Sequence, residues 1–327
     1  MKTFDQFEKI AKKKKKKNLS KIVMISLIMT VFVLVGGNFL LNYSFEKKYQ
    51  DLMMKRSTLS MITGPNVEEV SGGMEKTNIF SGQLTINRKK DLNGVDVAFD
   101  RYNLPFNIWS NILSEGSLGS GVEQQRRDSA IYYTRQLFQK YPTFYNINYQ
   151  NDQAPITPVL EHPMIAEMPN QLVELAVTFD RPYTAKEIDK LIPDNLKINW
   201  YWIGEENTKL NTEYWPPEIL YGVRAWGNAH YEGTKYEELD TADYVFKAFR
   251  KNLSEAIDKK WMASGLFKKN AEHYLKNNPD VDTAKFAGII LTGKSENFAQ
   301  LENASWIYAS SIGASTPNQP YYQLDKE

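Results

Sequence analysis

The chain has 327 residues, 42% hydrophobic, 24% charged and 13% aromatic, enough for one large packed domain or two smaller ones and unlike a disordered chain. It contains no cysteine, which excludes disulfides, thiolate metal ligands and a cysteine nucleophile together. The formal net charge of +1 hides an asymmetry: residues 1–21 carry nine lysines against Asp5 and Glu8, a local +7 that leaves −6 for the rest. A basic tail ahead of a mildly acidic body reads as membrane topology, with no direct contact to nucleic acid.

The tail comes first. Phe4, Phe7 and Ile10 fall on one face of a predicted helix, where they either dock a cytoplasmic partner or dip into the membrane interface. Lys12, Lys13, Lys14, Lys15, Lys16 and Lys17 follow as an unbroken run suited to an anionic lipid surface, each contributing on the order of 1 kcal/mol there. Ile22 to Leu41 is then free of charge. As a helix it spans about 30 Å, the thickness of a bilayer's hydrocarbon. No A-x-A cleavage pattern follows it, so the run reads as a retained anchor over residues 22–43. The lysines place the N-terminus in the cytoplasm and the bulk of the chain outside the cell membrane.

Residues 44–152 form the first exported part. It begins with a stalk over 44–75, helical through Met53, broken at Gly64-Pro65-Asn66 and looped at Gly72-Gly73. Short strands are predicted between Asn78 and Phe99, around a turn at Asp91–Gly94. A helix is predicted over Glu123–Tyr141, burying Ile131 and Leu137, then a strand over Phe144–Tyr149. Pro155, Pro158 and Pro163 mark a boundary.

The second part covers 155–315, ahead of a short tail at 316–327. Val173, Leu175, Val177 and Phe179 alternate along a half-buried strand. Thr184-Ala-Lys-Glu187 is a capping box opening a short helix that stops at Pro193. Ile198, Trp200 and Trp202 alternate along the next strand. Val245, Phe249, Leu253, Ile257 and Trp261 recur every four residues on a long helix from Thr241, ended by Ser264-Gly265. A second helix runs to Lys276. Strands follow at Phe286–Leu291 and Trp306–Ile312, with a small helix from Ser295. The fold class is α+β: one transmembrane helix, then an exported region in two parts.

Most candidate chemistry fails on inspection. Gly288 to Ser295 satisfies G-x-x-x-x-G-K-[ST], but its four variable residues, Ile-Ile-Leu-Thr, are a strand where a phosphate loop should be. His162, His230 and His273 lack zinc-ligand spacing, and no serine sits in a nucleophile elbow. Glu213, Glu218, Glu232, Glu237 and Glu238 lie among Trp215, Trp226 and Tyr231, a mixture found in carbohydrate sites that proves no glycosidase by itself. No enzymatic activity and no cofactor are expected. Trp200, Trp202, Trp215 and Trp226 are candidate pocket aromatics, with core packing as the plainer role.

Two blocks are more specific. Residues 172–204, LVELAVTFDRPYTAKEIDKLIPDNLKINWYWIG, and 286–314, FAGIILTGKSENFAQLENASWIYASSIGA, resemble the C-terminal domain of the sigma-factor regulator family of Gram-positive bacteria. The anchor and the region to about Gln150 look like its N-terminal companion. The resemblance implies a membrane-bound anti-sigma-type protein that restrains an extracytoplasmic-function sigma factor and receives an envelope signal outside. It carries no catalytic residues over. The tail of about 21 residues lacks the His/Cys zinc motif of many anti-sigma proteins, and it is short enough to imply a second small membrane protein as partner. The alternative is an exported, membrane-anchored binding or assembly protein that never touches a sigma factor.

Overall fold

The computed structural model describes residues 2–109, 122–125, 132–136, 139–151, 156–213, 215–227, 241–262 and 265–327. It combines one long apolar N-terminal helix with mixed helix and sheet, the α+β class expected.

Helix α1 runs without a break over Lys2–Ser60, joining tail, apolar run and stalk into one rod. The stalk was expected to be helical only through Met53. No proline interrupts it before Pro65, and Gly36-Gly37 is accommodated within the helix. Strands β1 (Glu68–Lys76), β2 (Ser81–Leu92) and β3 (Val95–Asn107) form an antiparallel meander in that order. Gly72-Gly73, expected in a loop, lies inside β1 opposite Ile86 and Thr85. Asn93 and Gly94 both take left-handed φ (58° and 91°), the type I′ turn that suits a tight hairpin. The meander packs on the upper part of α1, where Phe45 and Leu52 share a core with Leu84, Ile86, Tyr102, Leu104 and Phe106.

Residues 122–125, 132–136 and 139–140 overturn the helix expected over Glu123–Tyr141. They form strands β4 (Val122–Gln125), β5 (Tyr132–Gln136) and β6 (Gln139–Lys140), paired antiparallel. Tyr132, Tyr133 and Thr134 are strand formers, and this context outweighs the helix propensity of the surrounding Glu, Gln and Arg. Ile131 and Leu137 lie outside the described residues. The strand expected over Phe144–Tyr149 is also absent. Its backbone is satisfied by distant side chains instead: Tyr145 N donates to Thr178 Oγ1 (3.1 Å) and Phe144 O accepts from Thr212 Oγ1 (2.6 Å).

The remainder is built on a five-stranded antiparallel sheet of order β11-β7-β10-β8-β9. Its strands are β7 (Gln171–Thr184), β8 (Lys197–Trp202), β9 (Gly222–Arg224), β10 (Lys285–Lys294) and β11 (Ile307–Pro317). The predicted capping box is present: Thr184 Oγ1 accepts from Glu187 N, and the Glu187 carboxylate accepts from Thr184 N, opening α2 (Ala185–Leu191). Helix α3 (Ala242–Asp258) starts at the Thr241 cap and lays Val245, Phe249, Leu253 and Ile257 on the sheet. It ends at Lys259-Lys260, with Lys260 at φ 57°, and not at Ser264-Gly265; Gly265 is the first residue of α4 (Gly265–Asn277).

Two details correct the strand readings. β7 is buried on both faces, because Leu172, Glu174, Ala176 and Thr178 are covered as fully as the predicted apolar face. In β8 the register shifts at Asn199, so Ile198 and Trp200 do not share a face. Ile198 and Tyr201 join the helix-side core, while Trp200 and Trp202 pack on the other side around Phe144. Gly288–Gly293 is strand throughout and pairs with β7 on one side and β8 on the other, leaving no loop of free amides to cradle phosphate.

Candidate functional site

The tip of the β2–β3 hairpin reaches across to the five-stranded sheet, and side chains far apart in sequence meet there in a buried polar seam. Lys90 Nζ donates to Glu174 Oε2 at 2.6 Å, with 1% and 0% of the two side chains exposed. The same carboxylate accepts from Asn66 Nδ2 and Ala314 N, both at 2.9 Å. Asn199 Nδ2 donates to Asn66 Oδ1 (2.9 Å), and Thr292 Oγ1 donates to Asn199 Oδ1 (2.7 Å). A Cβ at Gly313 would run into the Glu174 carboxylate, so the close approach of β11 needs a glycine there.

Electrostatics follow from the burial. Desolvation lowers the pKa of Lys90 from its ordinary value, with Glu174 acting in the opposite sense. Burial would do the same to Lys197, but Asp91 and Asp325 both pair with it and together raise its pKa. Asp325 belongs to the C-terminal segment, which returns to the hairpin: Lys326 N donates to Asn93 Oδ1 (2.9 Å), and Tyr322 and Leu324 pack against Leu92, Val95, Leu172 and Ala314. Arg88 is enclosed between Glu218 (2.5 Å) and Asp100 (3.6 Å). At the end of α1, Arg56 pairs with Glu69 and lies over the Tyr102 ring (4.2 Å to its centroid), while burial pushes the Glu69 carboxyl upward.

Above the seam lies a cleft of about 410 Å³, between the end of α1 and α3, bordered by Thr63, Asn66, Glu69, Asn199, Trp200 and Arg224 among others. Of the four candidate pocket aromatics, only Trp200 borders it. Trp202 is buried against Phe144 (5.0 Å between centroids), Trp215 meets Phe267 edge-on (4.8 Å), and Trp226 stacks on Tyr201 (4.8 Å). The structure does not gather the four into one pocket.

Phe7 and Ile10 are exposed on α1; the side chain of Phe4 lies outside the described residues. Lys12 to Lys17 are exposed, and six consecutive residues at about 100° each encircle the helix, making a basic collar and not a basic face. Glu218 neutralises Arg88, whereas Glu232, Glu237, Glu238, Tyr231 and His230 lie outside the described residues. His162 is buried with Nδ1 at 2.8 Å from Ser310 Oγ, and His273 is a surface residue at 2.9 Å from Glu206. Among the described residues no group of three or more His, Asp or Glu could hold a metal ion.

The seam itself escaped the sequence reading. Glu174 and Lys197 sit where simple alternation assigns them to solvent, and the only available signal was a carboxylate and an amine embedded in otherwise apolar strands. What the arrangement does chemically is to hold: its carboxylates are paired or hydrogen-bonded to groups on other elements.

Comparison with known proteins supplies the role that the geometry alone does not. Residues 8–97 match the family described as sigma factor regulator N-terminal, and residues 165–314 match sigma factor regulator C-terminal; these families are regulatory rather than catalytic. No curated protein and no solved structure matches the chain. The seam joins the two matched regions through Lys90 and Glu174, and α1, long and apolar enough to cross a membrane, enters the first of them. The chain belongs to the sigma factor regulator family, and its role is sigma-factor regulation.

Proposed function

We propose that the chain is a single-pass membrane protein that restrains an extracytoplasmic-function sigma factor through its cytoplasmic tail, residues 1–21, and receives an envelope signal through the exported parts, residues 44–152 and 155–315. The lysine collar beside the apolar run supports this orientation by the positive-inside rule. The observation that carries the reading is the continuity of α1: the helix that bears Phe7 and Ile10 is the same one that is clamped by the β1–β3 meander. A change in the seam is thereby connected to the tail by covalent helix and not by a flexible linker.

Phe4, Phe7 and Ile10 are the docking residues in this reading. Three buried side chains supply roughly 5 kcal/mol before association costs, too little for a dedicated inhibitor acting alone. A second small membrane protein therefore shares the task, adding contacts and effective concentration. The test replaces all three residues with Ser and measures transcription from the sigma factor's targets. Derepression equal to that of a deletion, with the variant still in the membrane, is expected. Unchanged sigma-dependent transcripts in both strains would return the chain to the alternative of an exported binding or assembly protein.

A further inference from the structure

The lower end of the β1–β3 meander has no assigned role, and its surface chemistry is unusual. At the β1–β2 turn and the end of β3, Ile79 is 70% and Trp109 71% exposed, with Phe80 packed against Trp109 (4.7 Å between ring centroids). The grouping is held by backbone: Ile108 N donates to Phe80 O (3.0 Å), and Trp109 N to Asn107 Oδ1 (3.0 Å).

The height of this tip relative to the membrane can be read from two contacts between β1 and α1. Arg56 pairs with Glu69, and Lys76 Nζ donates to Asn42 Oδ1 at 2.6 Å. From Arg56 down to Asn42 is about 21 Å of helix, and from Glu69 to Lys76 is about 23 Å of strand. β1 therefore runs back along α1 nearly in parallel with its axis, towards the membrane. Asn42 is the first residue after the apolar run Ile22–Leu41, and the turn carrying Ile79 and Phe80 projects beyond Lys76. Tyr43, also exposed, stands at the same level. An apolar and aromatic cluster with a lysine at this depth has the composition of a bilayer interface, where Trp and Tyr rings sit among headgroups and lysine meets phosphate.

We propose that Ile79, Phe80 and Trp109 form a foot that inserts into the membrane interface beside the exit of α1, so that the meander stands on the lipid surface at a second point. The occupant is the lipid bilayer. The inference rests on α1 crossing the membrane but not on which side the tail lies. A sheet held at two points cannot swing freely about α1, and its inclination follows the membrane surface.

The test uses the full chain reconstituted in vesicles of phosphatidylcholine and phosphatidylglycerol carrying brominated acyl chains. The emission of Trp109, taken as the difference between the native chain and Trp109→Phe, should be mostly quenched. In the cysteine-free background, a fluorophore on Ile79→Cys should likewise be quenched by lipid, and one on Asp96→Cys, at the opposite end of the meander, should not. Val33→Cys, within the apolar run, reports on the anchor separately. Quenching at 33 with none at 79 or 109 would overturn the foot while leaving the anchor intact; no quenching at 33 would overturn the anchor, and the foot with it. Equal quenching at 79 and 96 would also overturn it, since the whole sheet would then be lying on the lipid.

Discussion

Replacing Glu174 with Gln tests whether the seam holds the two regions together. The substitution is nearly isosteric, but it leaves the Lys90 ammonium, at 1% exposure, without its counter-charge. Breaking a buried pair from one side costs about 3–5 kcal/mol. The amide also replaces one of two oxygens that accept different donors, Asn66 on Oε1 and Ala314 on Oε2, so one of these loses its acceptor. That loss accounts for about 1–3 kcal/mol when it stands alone. Lys90→Met should cost as much as Glu174→Gln, since it strands the carboxylate. The double variant should cost only the roughly 1–3 kcal/mol of the missing acceptor, because no uncompensated charge remains. Urea unfolding of the full chain in nanodiscs, followed by tryptophan emission, gives all four values at a common slope. Trp200 and Trp202, on β8 beside the seam residue Asn199, report on the region directly. Additive single losses, or single losses below about 1 kcal/mol, would refute the seam as a coupled ion pair.

Phe249→Asp should cost at least about 4 kcal/mol, combining a lost aromatic side chain with a buried, unpaired charge, and should abolish cooperative unfolding of the same preparation; parental unfolding would mean that α3 does not pack as described. Thr184→Ala should cost about 1 kcal/mol through loss of the α2 cap, measured by the same denaturation. The Glu187 carboxylate, which accepts from the Thr184 amide and hydroxyl, has its pKa lowered by those bonds. Its contribution is therefore complete above the ordinary glutamate value and is lost as pH falls through the lower folded value. Glu187→Gln should flatten that part of the acid limb of a stability–pH profile. In the same cysteine-free chain, Ser20→Cys should be shielded from an impermeant thiol reagent in intact cells and Ser71→Cys labelled; the reverse would invert the proposed topology.

Much of the second matched region was legible because its signals are local. The α3 stripe at four-residue spacing and the Thr184–Glu187 box depend only on neighbours along the chain; the box is present as read, and the stripe holds from Val245 to Ile257, with Trp261 beyond the end of the helix. The blocks that carried the family resemblance became β7, β8, β10 and β11, four of the five strands of the main sheet. The misreadings were of features decided at a distance. The second face of β7 is covered from a distance, Leu172 and Glu174 by residues 66–95 and Ala176 and Thr178 by Phe144 and Tyr145, so Glu174 looked solvent-facing although its partner Lys90 lies some eighty residues away in the chain. The bulge at Asn199 reverses which side Trp200 occupies, and period-two alternation cannot reveal a shifted register. Glu123–Tyr141 misled because its Glu, Gln and Arg favour helix while its tyrosines and threonine settle into paired strands. The site suffered most, since a polar seam built from Asn66, Lys90, Glu174, Asn199 and Thr292 has no contiguous motif to find.

One consequence of α1 concerns torsion. Phe45 enters the meander's core only four residues after Leu41, so no slack separates the apolar run from the clamp. A helix without a hinge fixes the angular bearing of each residue relative to every other, at about 100° per residue. The compass direction in which Phe7 and Ile10 face is thus tied to the direction in which the meander lies. Adding one alanine at position 42 would turn the tail by about 100° and lengthen the rod by only 1.5 Å, whereas adding seven would return it to within about 20° of its original bearing. If a partner reads the tail's heading, the first insertion should be silent to location yet blind to signal, and the second should restore the response.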